Sequence, residues 1–142
     1  MMPVVQGVGP LDSLLIPADE HFNQLSQKER DTIEESMLLT DRFTLSYLWV
    51  LGAYGLIRTL DQRYRENSRS DDHATRTREL KHRFERIRIP LAKMELARRH
   101  PTDDPIAYPA INLELGVASQ VAEDTFITRR ELSDALLDLA GV

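Results

Sequence analysis

The chain contains no cysteine. It therefore has no disulfide, thiolate zinc site, iron–sulfur cluster or catalytic thiol. A cysteine-free composition fits a reducing compartment. Residues Met1 to Gly7 lack a basic region followed by an apolar run, so no secretory leader is read and a cytoplasmic location is expected. No Gly-x-Ser-x-Gly elbow occurs, and Gly7-Val8-Gly9 lacks the third glycine and the preceding strand of a phosphate-cradling loop. Hydrolase and nucleotide-binding classes fall away with them. There is no internal repeat or low-complexity tract, and 142 residues suit one domain.

Charge is also missing from one place. Phe43 to Ile57 is a run of fifteen residues with no formal charge, apolar on every side of a helical wheel. That pattern predicts a helix buried all round, at the centre of the fold. At about 1.5 Å per residue it reaches roughly 22 Å, short of the roughly 30 Å of a bilayer core, so no membrane partner is expected. Gly52 and Gly55 each cost about 1 kcal/mol relative to alanine in a helix, a cost that close approach of another helix would repay. With Trp49 they are the candidate interface residues, for a second copy of the chain or another protein.

Around this run the sequence predicts a mainly α fold, a bundle of three or four helices with a small β-hairpin near the carboxyl end. Pro3, Gly7, Gly9, Pro10 and Pro17 are breakers, so residues 1–25 read as an irregular arm and residues 26–142 as the helical domain. Ser26 and Glu29 have capping-box spacing, opening a helix with Ile33 and Met37 inward and Asp41 as its expected break. Ser70 opens a second helix, with Leu80, Phe84, Ile87, Leu91 and Met94 as its inner stripe. That helix is expected to kink at Pro90 and end at His100-Pro101. Residues 109–115 fit either a strand or a short helix, the hairpin falls near 116–127, and Thr128 with Glu131 caps a final helix over 128–140. Its inward residues are Leu132, Ala135, Leu136 and Leu139, with Gly141 past its end.

The remaining charge is uneven. Residues 58–100 carry thirteen basic and seven acidic side chains and three of the four histidines, whereas the flanking blocks balance at −5 and −6. A basic helix packed between acidic neighbours explains this, helped by acid-then-base pairs at Asp72 and Arg76, Glu79 and Arg83, and Glu95 and Arg99. The rival explanation is a nucleic-acid-binding face carrying Arg83, Arg86, Arg88 and Lys93.

Two constellations carry chemistry. Glu79 and His82 have the Glu-x-x-His spacing of carboxylate-bridged metal bundles. The motif occurs once, so a complete site would need a second copy of the chain and ligands such as Glu34, Glu35 or Asp61. His73 and His100 each lie beside carboxylates at helix ends. Arg76 and His82 resemble, over seven residues, the Arg-x(4 to 6)-His signature of the HEPN helical-bundle ribonucleases. That resemblance implies metal-independent RNA cleavage by Arg76 and His82 in a site completed across a dimer. The leading expectation is a non-catalytic cytoplasmic module without cofactor that self-associates or binds a protein. The alternative is a HEPN-like ribonuclease or nucleic-acid-binding bundle.

Overall fold

In the computed structural model, which describes the backbone of residues 2–141 and the side chains of residues 8–141, the first element corrects an expectation. Residues 1–25 are no irregular arm: α1 (Met2–Gln24) is helical through Pro10 and Pro17. A proline inside a helix removes one backbone hydrogen bond and crowds the preceding turn. Both prolines are exposed, on the side away from the core, where distortion is tolerated. The opposite face bears Leu15 and Phe22, both buried, with Val8 and Leu11 packed on the core. Burial of that face outweighs the local breakers.

Ser26 and Glu29 form the expected capping box, but its helix α2 (Gln27–Arg30) is a single turn. The break falls at Asp31-Thr32 rather than Asp41: Thr32 accepts from the Glu35 N–H and opens α3 (Ile33–Glu66), 34 residues without interruption. Ile33 and Met37 point outward, 82% and 66% exposed, against the sequence reading. The uncharged run is two-sided as well. Trp49, Val50, Ala53 and Ile57 are in the core, while Leu45 and Leu48 are exposed.

Asp71, not Ser70, caps α4 (Asp72–Lys93), which passes through a buried Pro90 and stops at Met94, whose φ of 55° is left-handed. Leu80, Phe84 and Ile87 are buried as expected, but Met94 is 71% exposed because the helix has ended. The helix therefore stops short of His100. After an irregular segment, β1 (Tyr108–Asn112), β2 (Gly116–Ala122) and β3 (Thr125–Thr128) form an antiparallel sheet in the order β1-β2-β3. The expected hairpin is the β2–β3 part of that sheet, and residues 109–115 supply a strand and a turn. Thr128 and Glu131 close the second capping box at the start of α5 (Arg129–Ala140), and Gly141 terminates it at φ 75°. The described residues thus form five helices and one three-stranded sheet, and no helix among them is long and apolar enough to cross a membrane.

The core joins Leu15 of α1, Trp49 and Ile57 of α3, Phe84 and Ile87 of α4, Val121 of β2 and Leu132 of α5. Beside it lies a buried ionic cluster. Arg129 reaches Asp12 through one terminal nitrogen and Asp19 through the other, the latter at 3.2 Å. Ser133 donates to the second Asp12 oxygen. Arg42 lies 3.3 Å from Asp19, donates to the Ala18 carbonyl at 2.7 Å and covers the Phe22 ring. Two carboxylates and two guanidiniums so balance one another. Removing one partner of a buried pair leaves its counter-charges unpaired, and Arg129→Met should lower stability by about 3–5 kcal/mol. Urea unfolding measures this; a loss under about 1 kcal/mol would mean that Asp12 and Asp19 are hydrated without the arginine.

Candidate functional site

The basic side chains of α4 spread around the helix, and most meet partners on other elements. Asp61 of α3, 1% exposed, receives Lys81 at 2.9 Å and Arg78 at 3.4 Å, with Arg65 of its own helix at 3.3 Å. Burial pushes the Asp61 carboxyl up, but Lys81, Arg65 and Arg78 together hold it below its ordinary value. Arg86 makes two bonds to Asp103, at 2.7 and 2.9 Å. Those hydrogen bonds, against some desolvation, keep Asp103 below the usual carboxylate range. None of the expected pairs Asp72 with Arg76, Glu79 with Arg83, or Glu95 with Arg99 is among the ion pairs of the described residues. Partners for the basic block come from other elements at Arg78, Lys81 and Arg86, and from one turn away on the same helix at Arg65 and Lys81.

The histidines part company. His73 is structural: its ring bonds the Tyr64 hydroxyl at 3.2 Å and the Leu139 carbonyl at 3.0 Å, tying the start of α4 to α3 and α5. His82 Nδ1 lies 2.9 Å from Glu85, whose other oxygen accepts from Tyr54 at 3.3 Å. Burial, then the Glu85 carboxylate, raises the Tyr54 phenol above its ordinary value. The Nε2 of His82 has no partner within the protein. His82, His100, Arg98 and Arg99 line one depression of about 590 Å³.

Arg76 is elsewhere. It lines a depression of about 210 Å³ with Glu79, Arg83 and Asp138. Six positions turn a helix through a net angle of roughly 120°, so Arg76 and His82 look in different directions. The seven-residue resemblance to the HEPN signature is therefore not assembled as one site within the chain. Of Arg83, Arg86, Arg88 and Lys93, the first two line one depression of about 240 Å³ with His82 and His100, although Arg86 is held by Asp103 and Arg83 also borders the Arg76 depression, while Arg88 lies 5.2 Å from the Tyr54 ring centre. Lys93 is exposed at the last turn. Of the metal candidates, Glu79 is exposed while His82 is bound to Glu85. No group of three His, Asp or Glu side chains among the described residues has metal-binding geometry.

The second surface is the outer face of α3. Ile33, Met37, Thr44, Leu48 and Gly55 recur at spacings of four, seven, four and seven, and all are exposed. An eleven-residue repeat follows a helix with little drift, so these positions make one stripe. Thr44 returns its hydroxyl to the Thr40 carbonyl at 3.1 Å, leaving its methyl outward. A Cβ added at Gly55 would meet nothing within 4 Å. Of the candidate interface residues, Gly55 thus faces outward and Gly52 is half-buried, while Trp49, 1% exposed, stands in the core. The spacing of the stripe is present in the sequence but is masked by the apolar residues on the other sides of the same run.

Of the four lowered carboxyls, Glu29, Asp61, Asp71 and Asp103, the two buried ones, Asp61 and Asp103, contribute to an acid limb. The unfolded chain binds these protons near pH 3.9, whereas folded Asp61 and Asp103 bind them only at lower pH. Their contribution is present above about pH 4 and is lost as pH falls through that value towards the folded ones. Thermal melts should show wild-type Tm falling from about pH 5 to 3, and Asp103→Asn should flatten that fall while lowering Tm at neutral pH. An unchanged slope would show that the Arg86–Asp103 pair does not drive the limb. Compared with protein-family models, curated proteins and solved structures, the chain matches none.

Proposed function

We propose that the chain is a self-associating helical module in which the outer face of α3 meets the same face of a second copy, the helices antiparallel. The observation that carries this reading is the exposed stripe of Ile33, Met37, Leu48 and Gly55, apolar or small along a helix of about 51 Å. A mid-helix glycine with open space around it gains nothing inside its own chain, and a partner helix packed on it would explain it. Charge supports the antiparallel sense. Glu34 and Asp41 are exposed near the amino end of α3, and Arg58 and Arg63 near its carboxyl end. Antiparallel copies oppose unlike signs, whereas parallel copies would oppose like ones. A twofold, self-complementary patch is the usual geometry of a homodimer.

A second reading rests on the depression that joins His82, His100, Arg98 and Arg99. Two imidazoles, one of them oriented by Glu85, beside Arg98 and Arg99, which have no ion pair among the described residues, suit metal-independent phosphodiester chemistry, with His100 rather than Arg76 as the companion of His82. RNA cleavage that survives chelation and is lost in His82→Ala would put this reading first.

Sedimentation equilibrium of the full chain decides the leading reading. A dimer is expected at protein concentrations on the order of 10 µM, and Leu48→Glu should shift it to monomer with unchanged helicity. Arg63→Glu should weaken the dimer, and adding Glu34→Lys should restore it. A monomer persisting at on the order of 100 µM would sink the reading.

A further inference from the structure

We infer that the cavity between α3, α4 and the sheet is a binding site for a small, uncharged, mainly apolar molecule bearing one hydrogen-bond acceptor, such as a ketone or ester carbonyl. Its volume is about 300 Å³, at the lower end of the roughly 300–1,000 Å³ of ligand pockets. The walls are apolar: Phe43 and Val50 from α3, Ile87 and Leu91 from α4, Val117 from β2 and Ile127 from β3. Thr44 and Pro109, both exposed, stand at its edge and mark the way in.

Five polar residues break this lining, Thr44, Ser46, Tyr47, Ser119 and Arg129, and two of them are more than nine-tenths buried: Ser46 at 4% and Arg129 at 3% exposure. A serine in a helix usually returns its hydroxyl to the carbonyl one turn back. Ser46 does not, and its hydroxyl has no partner among the described residues. Arg129 spends its two terminal nitrogens on Asp12 and Asp19, while its Nε has no acceptor. Unmet buried donors are expensive. Both residues line the cavity, so an acceptor on a ligand held there would find an unmet donor, while its apolar body would fill the space between the two helices and the sheet.

The same cluster sets the ligand's charge. Arg129 and Arg42 are already balanced by Asp12 and Asp19. A carboxylate or phosphate would bring an uncompensated negative charge into a dry site. A neutral acceptor takes the Nε hydrogen bond without that penalty.

Acetophenone serves as the probe, with ethylbenzene as a comparator of similar size lacking the acceptor and benzoate as the charged comparator. NMR titration of the full chain follows the Arg129 Nε–H signal and the Val50 and Val117 methyls. Acetophenone should shift all three saturably, and Ser46→Ala should weaken its Kd by about tenfold while leaving that of ethylbenzene unchanged. Equal affinity for acetophenone and ethylbenzene would overturn the role of Ser46 and Arg129. Tighter binding of benzoate would overturn the uncharged class. No saturable shift from any of the three, as from a cavity that holds only water, would overturn the site. These wild-type titrations need no variant to fold, and they decide the proposal without one.

Discussion

The ion pairs of Arg129 with Asp12 and Asp19 are the constraint on which the rest depends. They join residues 117 and 110 positions apart, so holding the first helix against the last must offset the entropy of closing a long loop. Arg42 extends the same cluster to α3 through Asp19. The β1–β2 turn conforms to it too: Gly116 has φ 84°, and any Cβ there would overlap the Asp19 side chain. Glycine is needed at that point both for the backbone and for the space. Once Asp12 and Asp19 must point inward, α1 has to remain helical between them, which is why Pro17, lying between the two, is carried rather than allowed to end it.

What the sequence disclosed was local. Both capping boxes, the glycine stop at Gly141, the Leu80, Phe84 and Ile87 stripe and the hairpin depend on residues within a few positions of one another, and each formed. What it concealed was set by neighbours far along the chain. Pro10 and Pro17 read as breakers because the burial that overrides them comes from α3. Arg76 and His82 read as a pair on spacing, yet helical rotation turns them into different depressions. One signal was there to be found: Arg129 is one of two basic residues after residue 100 and stands in the first turn of a helix, where the dipole disfavours a cation. A cation in so unfavourable a place implies carboxylates nearby to hold it.

The uncharged stretch shows why composition alone misled about facing. A fifteen-residue run apolar on all sides suggests complete burial, but α3 has companions on only part of its circumference: α1, α4 and, through its middle, β2. On the remaining arc, Leu45, Leu48 and Gly55 are exposed among the described residues. Part of the apolar surface of the run is thus left exposed by the packing of its neighbours.

The same circumference explains the position of Ser46. It lies on the inner arc, at the edge where α3 leaves α4 and approaches the sheet. Three elements that cross there leave space, since helices and a twisted sheet do not fill the corner between them as two helices fill their shared groove. Apolar side chains close most of that corner. Arg129, held by Asp12 and Asp19 through its terminal nitrogens, lines the same corner and keeps an unpartnered Nε.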